Sequence, residues 1–243
     1  MLTVAVDGYS SSGKGAVCTK LAQKLGVIHF DTGAIYRVIG LYVYNNGIDP
    51  HDENAVVNAL GEIKVELKHN NGEQVTIMNG QDVSRDIRQN IISDICSITS
   101  PYPKCREFVY SIQRKCAEEY DLIMEGRDIT SHVLPDAEFK FFLDASVEVR
   151  AERRFKELTE KGQVVTLEQV KADLIERDRR DSHRELSPLI LTEGTYHIDN
   201  SYMTIDEEVE LMYKTIMGET EWYFGFFISY LFHIFICVCQ LRL

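Results

Sequence analysis

Short apolar runs alternate with longer amphipathic stretches along most of this 243-residue chain. Runs of this kind are typical of buried strands in a parallel sheet, and apolar residues spaced three and four apart are typical of the helices that cover it. The pattern predicts five strands, near residues 3–6, 27–30, 122–124, 139–143 and 196–198, and six helices, near residues 14–25, 34–45, 103–119, 147–160, 167–184 and 205–217. We therefore expect an α/β protein with a parallel five-stranded sheet flanked by helices.

The stretch between residues 62 and 100 departs from this alternation. Residues 63–68 and 74–78 alternate polar and apolar positions, and the sequence Asn70-Asn71-Gly72 between them is typical of a hairpin turn. A third short strand is predicted at residues 82–83. We interpret residues 62–100 as a small antiparallel β insert on the substrate side of a core formed by residues 1–61 and 101–217.

The charge balance limits the kind of partner that this chain binds. It carries 38 acidic and 26 basic side chains and a formal net charge of −12 at pH 7, and a body this acidic disfavours a broad surface for a nucleic-acid polymer. Any nucleotide site must then be a local concentration of arginine and lysine. The six cysteines show neither a metal-binding spacing nor a disulfide framework, so we expect reduced thiols and a cytoplasmic protein without a signal peptide.

Residues 222–241 form a run of twenty residues without a formal charge. A run of this length can span a bilayer. Three interpretations stay open: a membrane anchor, a helix that is buried or covered by a partner, and a segment foreign to the rest of the fold. The flanking charges fix no orientation, and the role of the apolar tail, residues 218–243, stays open with them.

A glycine-rich segment directly after the first predicted strand has the composition of a phosphate-binding loop. It consists of Gly8, Tyr9, Ser10, Ser11, Ser12, Gly13, Lys14, Gly15 and Ala16. Its glycines permit backbone conformations in which successive N–H groups face a phosphate, Lys14 adds a positive charge, and the next predicted helix presents its positive N-terminus. Gly15 stands where Ser or Thr commonly helps to hold Mg²⁺, which favours a small nucleotide kinase over a GTPase or motor ATPase. The context of strand, loop and helix disfavours the alternative of a chance glycine turn.

Two further motifs follow predicted strands, at the edge of the sheet where ligands bind in α/β proteins. The motif DTGAIYR, residues 31–37, places Thr32 and Arg37 at this edge, and Arg37 is either a bidentate phosphate ligand or a solvated surface arginine. The motif EGRD, residues 125–128, follows the third strand. Its Arg127 and Asp128 either point together into the cleft or form a structural ion pair.

Two neighbouring predicted helices carry basic faces. Arg177, Asp181 and Arg184 share one face of the helix predicted at 167–184. The helix before it carries a second basic set, Arg150, Arg153 and Arg154. An exposed helix with internal ion pairs is the usual explanation for such charge runs, whereas arginines concentrated in an acidic protein also suit an anion. A basic helical hairpin at about residues 149–165 can close over transferring phosphates as a lid.

Together these segments resemble the bacterial cytidylate kinase family of nucleoside monophosphate kinases over about residues 2–217. The segments that carry the resemblance are VDGYSSSGKG, DTGAIYR, NGQDVSRDIR, EGRDIT, FLDASVEVRAERR, EKG and ERDRRDSHR. The resemblance implies a P-loop NTPase-type sheet, with residues 62–100 as the monophosphate-binding insert and residues 149–165 as the lid. It implies a monomeric enzyme that transfers the γ-phosphoryl group of ATP to CMP or dCMP, giving CDP or dCDP and ADP, with Mg²⁺ as cofactor and metal ligands that it does not identify.

The resemblance also implies roles for individual residues. The loop of residues 8–16 would hold the ATP phosphates, together with two lid residues, Arg153 and Arg154. The residues around CMP would be Thr32, Arg37, Ser97, Arg106, Arg127, Asp128, Arg177 and Asp181. The catalytic residues at the transferring group would be Lys14, Arg127, Arg177 and Arg184. The chemistry of cytosine agrees, since its amino group suits Asp128 and its ring nitrogen and carbonyl suit Ser97 or Arg106.

The chain departs from the family pattern in its phosphate-binding loop. Tyr9 replaces a small residue or proline, and Ala16 replaces a threonine, which removes a hydroxyl near the phosphates. Two other functions are therefore kept as alternatives. One is a P-loop kinase for another acceptor such as UMP, AMP or shikimate, although the Asp128 carboxylate repels a uracil carbonyl. The other is a catalytically weak, membrane-tethered nucleotide-binding protein, suggested by Ala16 and the apolar tail.

Overall fold

The computed structural model describes residues 1–70 and 73–219. Its strands are β1 (Thr3–Gly8), β2 (Ile28–Asp31), β3 (Val65–Asn70), β4 (Glu73–Met78), β5 (Gln81–Asp82), β6 (Leu122–Glu125), β7 (Phe139–Asp144) and β8 (Tyr196–Asp199). Its α-helices are α1 (Lys14–Leu25), α2 (Thr32–Asn45), α3 (Glu53–Ala59), α4 (Asn90–Thr99), α5 (Pro103–Glu119), α6 (Val147–Glu160), α7 (Leu167–His183) and α8 (Ile205–Ile216). The five predicted core strands and six predicted helices are all present, each within two residues of its predicted ends.

The large sheet is parallel throughout and has the strand order β2-β6-β1-β7-β8. β1 lies at its centre, where Val4 is opposite Ile123 of β6 and Phe139 of β7. The order brings the carboxyl ends of β1, β2 and β6 side by side. The predicted fold class is therefore confirmed, and the segments that follow these three strands meet at one edge of the sheet.

Helices cover both faces of this sheet because its central strands are apolar on both sides. On β1, Val4 and Val6 face the layer of α1 and α8, whereas Ala5 faces the layer of α2 and α5. β6 alternates in the same way, with Ile123 on the first side and Leu122 on the second. These side chains are fully buried, and each large one contributes about 1.5–3 kcal/mol to folding.

Two helices were not predicted from the sequence. α3 has only seven residues and is capped by the Asp52 side chain, which accepts from the amide of Ala55. α4 lies within the stretch assigned to the β insert and packs against α2. Gly40 makes that packing close, since a Cβ there would lie 3.1 Å from the carbonyl oxygen of Ile92. The insert thus ends in a helix that shares a core with α2.

The antiparallel sheet has the order β3-β4-β5 and is attached to β2, the edge strand of the large sheet. The Gln74 amide accepts from the Asp31 N–H at 2.9 Å and donates to the Asp31 carbonyl at 3.2 Å. The His69 ring nitrogen Nε2 lies 3.0 Å from the His29 carbonyl oxygen. Two side chains of the hairpin therefore supply partners for the open edge of β2. The predicted turn includes residues 71 and 72, which lie outside the described residues.

The helices α6 and α7 form a hairpin with a small core of its own, made of Ala151, Leu158, Val170 and Leu174. α7 begins with a capping box, in which Thr166 and Gln169 exchange hydrogen bonds, and it ends at His183. Arg184 has extended backbone angles, φ −65° and ψ 144°. The prediction that Arg184 continues the face of the helix is therefore wrong, because the chain leaves the helix one residue earlier.

No helix within residues 1–70 and 73–219 is long and apolar enough to cross a membrane. The uncharged run at 222–241 lies outside the described residues, so the three interpretations of the apolar tail stay open. Four cysteines of the described part of the chain have free thiols, Cys18, Cys96, Cys105 and Cys116.

Candidate active site

A cleft of about 850 Å³ opens at the carboxyl ends of β1, β2 and β6. The phosphate-binding loop, the start of α2 and the EGRD segment line one side, while α4, α6 and α7 line the other. Parallel strands end at the same edge of a sheet, so segments far apart in sequence meet here. Its volume is in the range of sites for nucleotide-sized ligands.

The phosphate-binding loop takes its shape from residues with positive φ. Gly8 has φ 148°, Ser11 has φ 60°, and Gly13, which precedes α1, has φ 94°. Gly8 also has no room for a side chain, because a Cβ there would lie 2.0 Å from the carbonyl oxygen of Leu143. The loop therefore wraps closely around the positive end of α1, the geometry that binds anions.

Lys14 is buried inside this loop. Its Nζ donates to the carbonyl oxygens of Gly8 and Tyr9, at 2.6 and 2.7 Å, and to the Ser12 hydroxyl at 3.3 Å. Burial, followed by the positive charge of Arg127, lowers the pKa of Lys14 from 10.5 to about 7. An anion beside Nζ would counteract both effects and raise this pKa again. The protonated form of Lys14 therefore favours a phosphate ligand in the loop.

The two departures from the family loop pattern have different surroundings. The Tyr9 ring packs edge-on against Phe142, with 5.7 Å between ring centroids, and carries the Arg150 guanidinium 5.0 Å above its centre. Arg150 in turn donates to the Ser10 carbonyl oxygen at 3.2 Å and to Asp178 at 2.6 Å. Tyr9 thus supports a link between the loop and α7. Ala16 is exposed, lines the cleft and offers no hydroxyl.

The DTGAIYR segment places both of its predicted site residues in the cleft. Thr32 is buried and donates its hydroxyl proton to the Glu125 carbonyl oxygen at 2.7 Å. Arg37 lies 3.5 Å from the Asp31 carboxylate, which Arg88 also approaches at 3.9 Å. Burial opposes the effect, but Arg37 and Arg88 together lower the pKa of Asp31. Arg37 is therefore a partly buried arginine of the cleft wall.

Asp128 lies at the centre of a buried polar cluster in the cleft. Its Oδ2 accepts from Arg106 at 2.5 Å and from the Tyr110 hydroxyl. Its Oδ1 has Arg184 at 3.5 Å. Arg106 also donates to the Ser100 carbonyl oxygen at 3.1 Å. The structure therefore brings three predicted residues, Arg106, Asp128 and Arg184, together.

A second charged group surrounds Arg127 beside this cluster. Arg127 donates to Asp181 at 3.2 Å. Arg177 lines the same cleft and has no hydrogen bond or ion pair to any residue of 1–70 and 73–219, and burial and Arg127 lower its pKa. Burial and Arg106 likewise lower the pKa of Arg184, whose buried Nη2 has no hydrogen-bond partner in the described part of the chain. Arg127, Arg177 and Arg184 therefore have more positive charge among them than the neighbouring carboxylates neutralise, which favours an anionic ligand.

Arg153 and Arg154 are neighbours on α6, but their side chains have different partners. Arg153 donates to both oxygens of Asn200, at 3.0 and 2.9 Å, and to the Ser12 carbonyl oxygen at 3.4 Å, so it braces the back of the loop. Arg154 lines the cleft and pairs with Glu157 at 2.7 Å. Ser97 of α4 accepts from Arg180 of α7 at 2.9 Å, which joins these two helices across the cleft.

Asp7 connects the residues that follow the EGRD segment to the start of the phosphate-binding loop. This fully buried carboxylate accepts from the amides of Ile129 and Thr130, at 2.9 and 2.7 Å, and from the Thr130 hydroxyl at 2.7 Å. It stands directly before Gly8 on β1, and the amides that it holds directly follow Asp128. The two halves of the site are thus held in a fixed relation.

Sequence reasoning gave no role to several residues of this cleft. Glu125 is buried at the loop, with Oε1 3.0 Å from the His29 ring and 3.2 Å from the place that a Cβ on Gly15 would take. Tyr36 lines the cleft, and its buried hydroxyl has no partner among the described residues. Tyr110 reaches Asp128 from α5. Of these, Glu125 and Tyr36 had a signal in the sequence, since Glu125 opens the EGRD motif and Tyr36 lies within the DTGAIYR motif.

Comparison with known proteins identifies the family of this chain. A family model described as "Cytidylate kinase" matches residues 4–217. The cytidylate kinase of Lactobacillus johnsonii is 43% identical over 86% of this chain and 91% of its own length. That of Caldanaerobacter subterraneus subsp. tengcongensis is 44% identical over 90% of this chain and 96% of its own length.

Among solved structures, an uncharacterized protein from Eubacterium ventriosum superimposes with a TM-score of 0.52. It is 12% identical and covers 89% of this chain and 98% of its own, so this likeness concerns the fold alone. The family match, over residues 4–217, includes the loop, the EGRD segment and the helices α6 and α7, and both relatives match over most of the chain. The chain belongs to the cytidylate kinase family.

Proposed function

We propose that this protein transfers the γ-phosphoryl group of ATP to CMP or dCMP. The observation that carries the proposal is a set of buried or half-buried cations that converge on one cleft of an acidic protein, Lys14, Arg37, Arg127, Arg177 and Arg184. Phosphoryl transfer asks a protein mainly to align the reactants and to place positive charge around the moving group.

The acceptor base would be recognised by Asp128. A carboxylate is only an acceptor of hydrogen bonds, and cytosine offers an exocyclic amino group where uracil offers a carbonyl. Arg106 and Ser97 flank this position and would meet the acceptor atoms of the base. Arg177 and Asp181 would bind the ribose hydroxyls, and the α-phosphate would lie against Arg37 and Arg127, with Thr32 at the rim.

The donor would lie on the phosphate-binding loop. The backbone N–H groups of residues 8–16 and the N-terminus of α1 would hold the ATP phosphates, with Lys14 beside the transferred group. Arg153 keeps the loop in shape through Ser12 and Asn200, and Arg154 reaches the cleft from the lid. Arg177 and Arg184 already line the cleft, and closing of α6 and α7 over it would exclude water.

Residues of the cleft fit a magnesium ion. Mg²⁺ prefers oxygen ligands and keeps several waters, so it needs only one or two carboxylates besides the phosphates of the substrate. Glu125 supplies a buried carboxylate beside Gly15 at the loop. The bound ion would neutralise charge on the β- and γ-phosphates. Glu125 would hold it through water, and His29 would keep the carboxylate oriented.

Asp128 distinguishes a kinase for CMP from the alternative of a kinase for UMP. A kinase for UMP would need a hydrogen-bond donor where Asp128 places a carboxylate oxygen, which only accepts. The membrane-tethered alternative depends on residues 222–241, of which the structure describes nothing. We expect a monomer that acts on CMP and dCMP.

Release of ADP, measured in a coupled assay with CMP, dCMP, UMP, AMP and shikimate as acceptors, tests the proposal. We expect turnover with the two cytidine nucleotides and at least tenfold lower kcat/KM with UMP. Asp128→Asn should reduce this preference, because an amide presents either a donor or an acceptor. Asp136→Asn, a change of the same kind at an exposed position, is the control. Preference for another acceptor, or an unchanged CMP to UMP ratio in Asp128→Asn, would contradict the proposal.

A further inference from the structure

The Tyr110 hydroxyl has several polar partners in the buried cluster around Asp128. It contacts Asp128 Oδ2, lies 2.8 Å from the Ser187 hydroxyl, and accepts from Arg106 Nε and Nη2 at 3.0 and 2.8 Å. Ser187 is buried and belongs to the segment after α7. The Tyr110 hydroxyl therefore joins α5, the EGRD segment and the segment after α7.

Counting protons fixes the direction of these bonds. A tyrosine hydroxyl carries one proton, and an ionised carboxylate only accepts. The proton of Tyr110 therefore points to Asp128, and the Ser187 hydroxyl donates to Tyr110. Burial, followed by the negative charge of Asp128, raises the pKa of Tyr110 above its ordinary value, so this hydroxyl remains a donor at neutral pH.

The two oxygens of Asp128 consequently differ. Oδ2 receives two strong donors, Arg106 and Tyr110, while Oδ1 has only Arg184 at 3.5 Å. A carboxylate held at one oxygen by two donors cannot rotate freely, so its remaining oxygen is kept in place. Oδ1 is thus a fixed acceptor site next to the cleft.

We propose that Tyr110 is a specificity-determining positioning residue, which holds Asp128 so that Oδ1 accepts from the amino group of the acceptor base and excludes a base with a carbonyl there. The proposal rests on the proposed function, because it concerns how the same site selects its acceptor. Tyr110 acts through Asp128, and its hydroxyl is already occupied by protein partners.

Tyr110→Phe tests this inference with little change in volume. Without the hydroxyl, Oδ2 loses one donor, and the carboxylate gains freedom to rotate, which admits a uracil carbonyl. We expect the kcat/KM ratio of CMP to UMP to fall about tenfold, the size expected for a hydrogen bond to a charged group. The KM for CMP should rise, while kcat with CMP and the KM for ATP should change less than about threefold.

Two further variants separate positioning from general damage. Ser187→Ala removes the donor behind Tyr110 and should lower the same ratio about two- to threefold, since the bond between Tyr110 and Asp128 remains. Tyr102→Phe is the control, because Tyr102 directly precedes α5 and its hydroxyl donates to the Pro50 carbonyl oxygen at 2.8 Å, outside the cleft. It should leave the ratio unchanged.

The outcomes distinguish the two proposals. If the wild type does not phosphorylate CMP, the proposed function fails. If the wild type prefers CMP and Tyr110→Phe keeps the wild-type ratio, or lowers kcat equally for both acceptors, Tyr110 is only structural and the inference is overturned. Should Tyr110→Phe fail to fold, the Ser187→Ala ratio decides alone, and an unchanged ratio overturns the inference.

Discussion

Nucleotide binding should be accompanied by uptake of a proton, because Lys14 is partly uncharged in the empty loop. Its pKa is lowered to about 7, first by burial and then by Arg127. Phosphates placed beside Nζ supply the opposite charge and raise this pKa again. With a pKa of about 7, roughly 0.9 of the lysines are uncharged at pH 8 and roughly 0.1 at pH 6. Binding of ADP should therefore take up nearly one proton at pH 8 and almost none at pH 6.

Isothermal titration calorimetry measures this uptake directly, since the observed enthalpy depends on the ionisation enthalpy of the buffer. For the wild type at pH 8, the enthalpies of ADP binding observed in Tris and in HEPES should differ by about 0.9 times the difference between the ionisation enthalpies of the two buffers. Lys14→Met keeps the length of the side chain without the charge and should show no uptake. In the coupled assay the same variant should lose about 10²–10³ in rate. No uptake by the wild type, or equal uptake by both proteins, would refute the reasoning.

Unfolding gives an independent measurement of the same pKa. Between the folded pKa of about 7 and the unfolded value of 10.5, the unfolded chain binds more protons, so the contribution of Lys14 to stability rises with pH. The rise approaches about 1.4 kcal/mol per pH unit above pH 7 and amounts to about 2 kcal/mol between pH 7 and 9, because Lys14 is still half protonated at pH 7. The difference in unfolding free energy between wild type and Lys14→Met should increase by this amount over that interval. A constant difference would place the pKa of Lys14 near its ordinary value.

Four further changes have expected outcomes. Gly8→Ala should destabilise the fold by about 3 kcal/mol or more in denaturant titrations, because its Cβ would collide with backbone at a positive φ. Thr204→Ala removes a capping box from α8 and should cost about 1 kcal/mol with turnover unchanged. Glu125→Gln should raise the Mg²⁺ concentration for half-maximal rate about tenfold, and an unchanged requirement would exclude Glu125 from the metal site. A chain that ends at Gly218 should keep its turnover on CMP, whereas loss of activity in a folded truncation would place the tail in the site.

Much of the fold could be predicted because local patterns and the final packing agree. The central strands β1 and β6 are predominantly apolar over their buried length, and Thr166 and Thr204 cap the starts of α7 and α8 with capping boxes that can be read from the sequence. The loop was predictable for a similar reason, since its glycines and Lys14 are contiguous. The structure adds that Gly8 is needed for space as well as for conformation.

The missing parts depend on distant contacts. α4 is short and rich in β-branched residues, and it is stabilised as a helix by packing on α2 around Gly40. Tyr110 precedes Asp128 by eighteen residues, and nothing in the spacing indicates that α5 carries its hydroxyl to that carboxylate. Arg184 was expected on a helix, yet it reaches Asp128 from an extended segment. Roles that depend on tertiary proximity could be named only through the family resemblance.

The bonds from Gln74 and His69 to β2 have a consequence for experiments that remove the hairpin. An uncovered edge strand offers its free N–H and C=O groups to any other chain and is a common starting point for aggregation. Deletion of the hairpin would therefore open the sheet to strand addition at Asp31, the partner of Arg37. Loss of activity in such a deletion would not by itself assign the hairpin to substrate binding. The single change Gln74→Ala, with light scattering beside the kinetic assay, separates protection of the edge from recognition of the acceptor.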